Sequence, residues 1–251
     1  MKELINSAMS IGEQMLISGA EVHRVEDSVR RICRARGAVR TDVFIITSSM
    51  VLTVHDAAGV AYTETRRINS SGTDYEALDK LNALSRKICS EPMTDAEIRR
   101  ELDKIKNRKK YPIWMELIAY AFIGSAFTLF FGGTPIQALV ALFIGAILKG
   151  VVFASEKFVQ NTVFSKFISS FILVSLSFLA VRCKIVPRPD EIIIGNIMLL
   201  IPGIGFTNAL RDLFMGDSIA GSLRLLEAVL SAAAIAAGYF LIVFMTGGVT
   251  I

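Results

Sequence analysis

The stretch IIIGNIMLLIPGIGFTNALRDLFMGDSIAGSLRLLE, residues 192–227, decides how the chain is read. Its apolar part, residues 192–206, is shorter than the ~20 residues a helix normally needs to cross a bilayer. Within it lie Asn196 and the pair Pro202-Gly203. Proline removes a helical N–H and clashes with the preceding turn, and glycine lets the backbone leave the helix, so the segment is expected to break at Pro202. In lipid, freed backbone groups persist only where protein or a water-filled cavity satisfies them. A short apolar segment interrupted in this way points to a transporter's binding site. Just beyond it, Asn208, Arg211 and Asp212 fall at i, i+3 and i+4 on one helical face, and Asp217, Arg224 and Glu227 lead into the next apolar run.

The surrounding chain fits that reading. Its 251 residues are 53% hydrophobic and 20% charged, too apolar for an ordinary soluble domain. Charge crowds the region up to Lys110, whereas residues 117–148, 167–181 and 228–251 carry none. The expected fold is an α-helical integral membrane protein of about five transmembrane helices with an N-terminal cytoplasmic α+β domain, divided into residues 1–110 and 111–251. The net charge of +4 does not indicate nucleic acid, because much of it sits at residues 99–110, directly before the first apolar span. The positive-inside rule places such a flank in the cytoplasm. A multi-pass protein of the plasma (inner) membrane with its N-terminus cytoplasmic follows. Arg182, Lys184 and Arg188 run against this topology, but the N-terminal flank is the stronger signal.

Cys33, Cys89 and Cys183 are scattered and odd in number, and His23 and His55 share no metal spacing with them, so neither a disulfide framework nor a metal site is expected. No cofactor motif is present. Residues 1–24 lack the continuous apolar core of a signal peptide, and no cleavage is expected there.

Along the front, apolar residues at helical spacing predict helices over about 2–16 and 20–36, the second stopped by Gly37. Residues 39–46, 50–55 and 60–68 are rich in β-branched and aromatic side chains and predict a three-stranded antiparallel meander. Two helices follow at 75–89 and 94–109, the second opened by a Thr94–Glu97 capping box. Hydropathy then gives spans at 113–131, 135–148, 164–181, 191–206 and 219–245. With residues 99–110 inside, the loop at 155–165 returns inside and the uncharged C-terminus lies outside.

Gly19-Ala20-Glu21-Val22-His23-Arg24-Val25-Glu26, the strand-rich region and the helix at 78–88 together resemble the N-terminal domain of the threonine/serine exporter family. Pro202-Gly203, Asn208 to Leu213, Gly216-Asp217, Gly221, Arg224 and Glu227 are similar to the end of that family's first membrane repeat. The resemblance implies a secondary exporter, not an enzyme, that uses an ion gradient to move small polar metabolites such as threonine, serine or succinate across the plasma membrane. It also implies a partner: single-chain members continue into a second hydrophobic half, whereas this chain stops after about five spans as split-subunit members do, so a small separate membrane subunit is expected to complete the transporter. An oligomer is a further expectation.

Each candidate residue has a structural reading beside the functional one. Arg211 and Asp212 suit a substrate's carboxylate and ammonium, or simply end a span at the interface. Arg224 and Glu227 form an i, i+3 pair, and Glu227 suits a coupled proton. Asn196 suits substrate coordination or, more readily, a hydrogen bond across helices. Lys149 reads as an interfacial charge. Glu21, Arg24 and Glu26 are expected on an exposed helix face, Glu21 paired with Arg24 and Glu26 with Arg30, with a further role in docking the front domain. Two other readings stand beside the exporter: a membrane-anchored sensor or scaffold, and a membrane-anchored hydrolase built on Glu21, His23 and Glu26. A primary pump is disfavoured, since no phosphate-binding Gly-rich loop is present.

Overall fold

A computed structural model describes residues 1–70, 72–109, 111–158 and 161–246, without the side chains of 156–158. The expected domain boundary at Lys110, part of the loop expected at 155–165, and the tail from 247 onward lie outside the described residues.

The chain forms two compact units. The first comprises Met1–Lys109 together with Gly205–Leu225. Helices α1 (Lys2–Ile17) and α2 (Val22–Ala35) pack on an antiparallel sheet ordered β1 (Arg40–Ile46), β2 (Ser49–His55), β3 (Ala61–Arg67). Ile46 faces Ser49 across a tight hairpin, and Ser49 in turn faces Arg67. Side chains alternate along a strand, so Met50, Leu52 and Val54 of β2 all point into the core. They meet Met9, Ile11 and Met15 of α1 and Val25, Val29 and Ile32 of α2. Gly12 makes this approach possible, because a Cβ there would sit 2.7 Å from Met50 Cε and 2.9 Å from Val29 Cγ2. Helices α3 (Tyr75–Ser90) and α4 (Asp95–Lys106) close the core with Leu81, Ile98 and Leu102. The Thr94–Glu97 capping box forms as expected, with Thr94 N–H donating to Glu97 Oε2 at 2.8 Å.

The same core takes in Ala220, from the far end of the sequence. Helix α9 (Gly203–Phe214) and the start of α10 (Ser218–Met245) belong here through residues 205–225. A Cβ on Gly221 would lie 2.9 Å from Ala209 O and from Leu213 N, so only glycine lets α10 cross α9 this closely.

The second unit, Lys110–Ile204 with Leu226–Ile251, contains α5 (Ile113–Phe130), α6 (Pro135–Phe158), α7 (Thr162–Arg182), α8 (Asp190–Ile197) and the rest of α10. Phe122, Phe130, Phe143 and Phe240 face outward while Ser169, Ser170, Ser177 and Asn196 are buried, the distribution a lipid solvent selects. Its helices meet through small residues: Cβ atoms on Gly145 and Gly195 would come 2.6 Å from Tyr120 O and from Thr128 N, and one on Gly238 2.7 Å from Phe167 O. Ser170 donates to Ile235 O at 2.7 Å.

Among the described residues four helices are long and apolar enough to cross a membrane: Ile113–Phe130, Pro135–Ser155, Thr162–Arg182 and Ser218–Met245. The expected span over 191–206 is different. Its helix α8 has eight residues, about 12 Å at 1.5 Å per residue, and ends at Ile197, ahead of the expected break at Pro202. The reason is local. Proline disfavours the α region only at Ile201; the chain leaves the helix earlier, through three-residue bonds, Leu199 N–H to Asn196 O at 3.1 Å and Leu200 N–H to Ile197 O at 2.8 Å. Helix α9 restarts immediately after Pro202.

Candidate functional site

The turn between α1 and α2 carries Ser18, Gly19, Ala20 and Glu21. Gly19 has φ +91°, and a Cβ there would also press on Gly72 O at 2.8 Å. Residues 72–74 answer the turn's first carbonyls, with Gly72 N–H donating to Ile17 O at 2.9 Å and Asp74 N–H to Ser18 O at 3.0 Å. The next ones are answered from the other end of the sequence. Asn208 Nδ2 donates to Gly19 O at 3.1 Å, and Arg224 Nη2 donates to Ala20 O at 2.7 Å. Arg211 pairs with the Glu21 carboxylate.

Helix α2 opens with Glu21 at its N-cap, which makes no side-chain capping bond. The cap comes from Asp212, whose Oδ1 accepts from Val22 N–H at 3.1 Å across 190 residues of sequence. A carboxylate is favoured there by both the unsatisfied N–H groups and the helix dipole. Asp212 is 0% exposed, and its Oδ2 lies 3.0 Å from Arg224 Nη1, itself 13% exposed. Burial, as the largest influence, holds the Asp212 carboxyl above the usual aspartate range, opposed by the Arg224 charge and the Val22 N–H. Asp217, at the start of α10, keeps a buried Oδ2 without a hydrogen-bond partner. It faces Glu26 of α2, whose carboxyl is raised by burial first and by the Asp217 charge second, against the pull of Arg30.

The structure therefore gathers Glu21, Glu26, Asn208, Arg211, Asp212, Asp217 and Arg224 into one polar dock within the first unit. Three expectations change. Glu21 is half-buried and pairs with Arg211, not with Arg24, because the turn points its side chain toward α9. Glu26 keeps its expected partner, Arg30 Nη2, at 3.3 Å but is also half-buried. Arg224 is spent on Asp212 and Ala20 O, while Glu227 is exposed and belongs to the second unit. The convergence that a hydrolase reading needs is absent among these residues, since Glu21 and Glu26 hold arginines and His23 is exposed.

The second unit holds Asn196, Pro202 and Gly203. Asn196 of α8 is fully buried, and its Nδ2 donates back to Ile192 O at 3.1 Å. That corrects the expectation of a bond to another helix. A Cβ on Gly124 or Gly145 would run into Asn196 Oδ1, so α5 and α6 leave no room for a partner group, and this oxygen has none. Lys149 of α6, expected as an interfacial charge, pairs with Glu116 of α5 at 2.6 Å and lies 5.1 Å from the centre of the Tyr120 ring. Sequence reading missed Glu116, yet a signal exists: Glu116 and Lys149 lie at equal distances in sequence on either side of the Gly132-Gly133 turn. At the turn end, Gln137 Nε2 donates to Glu191 Oε2 at 2.7 Å and to Arg188 O at 3.1 Å, tying α6 to α8.

The dock joins the two stretches of sequence that carry the family resemblance, and comparison with known proteins gives them a common source. The profile of the threonine/serine exporter family, ThrE, matches residues 6–246. The chain belongs to this family. It is 26% identical over 248 residues to a threonine/serine exporter of Corynebacterium glutamicum, covering 94% of this chain and 50% of that protein. It is 21% identical over 226 residues to pheromone-regulated membrane protein 10 of Kluyveromyces lactis, covering 86% of this chain and 23% of that one. The chain thus spans half or less of the curated relatives it matches. No solved structure matches it. Family membership and the four apolar helices make this a membrane protein of an exporter family.

Proposed function

We propose that this chain is one part of a secondary exporter that moves small polar metabolites out of the cell across the plasma membrane, with its N-terminus in the cytoplasm and a small membrane subunit completing it. Threonine and serine are the leading cargo, after the relative's printed name, and a dicarboxylate such as succinate is the alternative. The observation that carries the reading is the dock, where Asn208, Arg224 and Asp212 hold the Gly19, Ala20 and Val22 backbone and Arg211 pairs with the Glu21 carboxylate. It ties the domain that precedes the spans to the segment leading into the last one, which suits transmission of a conformational change. In this reading Asp212 and Arg224 hold the link, Arg211 and Asn208 lie at its rim, and Asn196, Pro202 and Gly203 mark the interrupted helix at the pathway. Glu227 is the candidate carrier of a coupled proton.

The test is efflux of radiolabelled threonine, serine and succinate from preloaded cells expressing the chain with and without a candidate membrane subunit. Gradient-dependent efflux of one substrate supports the proposal, and a requirement for both chains supports the split form. No efflux of any of the three, with both chains verified in the membrane, rejects it in favour of the anchored sensor. Glu227→Gln is expected to stop ion-driven flux but spare exchange. Equal loss of both would remove the proton role.

A further inference from the structure

A second polar site lies elsewhere in the first unit, in a cleft of about 170 Å³ between α1 and α4. A single buried water needs only about 10–15 Å³ of such space, so the cleft admits a ligand of amino-acid size. Ile98 and Leu102 supply its apolar wall, and Ser7 lies on the α1 side. Ser7 is 4% exposed and its hydroxyl has no hydrogen-bond partner. An unanswered buried hydroxyl is costly, and native structures normally leave one only where something else satisfies it.

The other polar groups lining the cleft are mostly donors. Arg66 of β3, itself neutralised by Glu13 at 3.1 Å and Glu64 at 2.6 Å, donates to Asn6 Oδ1 at 2.9 Å and to Ser10 Oγ at 2.8 Å. Both oxygens are thereby used as acceptors, which leaves the Asn6 amide N–H groups and the Ser10 O–H to donate elsewhere. Arg99 and Lys106 of α4 add two cations, and Asp103 the one carboxylate. Among the described residues Arg99 is engaged only by Glu3, at 3.4 Å on the surface, an exposed pair that is cheap to displace. Lys106 and Asp103 have no ion pair among the described residues.

We infer that this cleft binds a free α-amino acid, its carboxylate held by Arg99, Lys106 and the serine hydroxyls and its ammonium by Asp103. A dicarboxylate of the same size would bring a second negative charge to Asp103, and the like charges would repel. The site is separate from the dock, and it rests on the exporter proposal only for the choice of probes. It gives the N-terminal unit a means of sensing the small metabolites around it.

The test is calorimetric titration of the purified full chain with L-threonine, L-serine and succinate, with hydrogen exchange read at residues 6–10 and 99–106. Threonine or serine is expected to bind and protect both segments, with succinate weaker. Because Arg99 and Asp103 are exposed, Arg99→Ala and Asp103→Asn should fold normally. Each should weaken binding about tenfold, the worth of one charge-assisted hydrogen bond. Absence of amino-acid binding, tighter binding of succinate, or binding unmoved by both substitutions would overturn the inference. Binding without efflux leaves the cleft standing and removes the exporter reading; efflux without binding does the reverse.

Discussion

At the α1–α2 turn of the first unit and at Asn196 of the second, a polar side chain is taken wholly out of solvent, with opposite outcomes. Asp212 is surrounded by groups that answer it, a helix N-terminus and a guanidinium. Asn196 is surrounded by glycines that merely make room, and its oxygen is left unanswered. The first arrangement locks two distant stretches of chain by charge and hydrogen bonding. The second allows close packing beside a helix end at the cost of one unanswered acceptor. Burial alone therefore does not tell whether a polar residue fastens a fold; its neighbours do.

That contrast can be broken most forcefully at the dock. Asp212→Ala would strand Arg224 and bare the Val22 N–H, and losing one member of a buried pair costs about 3–5 kcal/mol. Thermal unfolding should show that loss, with faster hydrogen exchange at the start of α2. An unchanged exchange rate there would mean that the cap is not supplied from α9. Next in size is Gly124→Ala, which drives a methyl into Asn196 Oδ1; overpacking of this kind costs about 1–3 kcal/mol. Adding Asn196→Ala should restore most of the lost stability, and strict additivity of the two would show that the residues do not touch.

Smaller again is Arg211→Ala. Arg211 is 54% exposed, and an exposed pair contributes about 1 kcal/mol or less. Unfolding should barely shift while efflux falls, and normal efflux would remove Arg211 from the transport proposal. The smallest effect is at Glu26. Its folded carboxyl is raised, so the folded state holds that proton more tightly than the unfolded chain does. The resulting stabilisation is complete below the ordinary glutamate range and is lost as pH rises through the raised value. Glu26→Gln should therefore unfold at a slightly higher temperature than the natural chain near pH 7.5, with the gap closing as the pH falls through the raised value and gone below about 4.3. Loss of the i, i+4 bond to Arg30 offsets part of the gain, by about 0.3–0.5 kcal/mol.

Much of this molecule is legible before any coordinates. Alternating and helical periodicities place the three strands and the four helices of Met1–Lys109 closely, because one buried face sets both registers. Four of the apolar spans are legible for a different reason, their continuous hydropathy, which needs no buried face. The interrupted helix is legible as an interruption, but its position is set by the turn over 198–202 rather than by Pro202 alone. The dock was visible only as two polar clusters. Pairing Glu21 with Arg24 is the natural local choice, and nothing in i, i+3 spacing announces that a partner lies 190 residues away. Asn208, Asp212 and Arg224 also spend their bonds on backbone groups of residues 19–22, which no side-chain pattern records.

The long-range cap on α2 has a consequence for how the protein is made. A ribosome adding about 5–20 residues per second needs some 10–40 s to travel from Val22 to Asp212, and it threads α5 to α8 in between. Once α4 has been made, the nascent N-terminal unit has its strands, its four helices and most of its core, but until α9 and α10 follow, α2 begins with an open end and Ala220 is missing. The unit matures last although it is translated first, so the emergence of α9 and α10 serves as its finishing step.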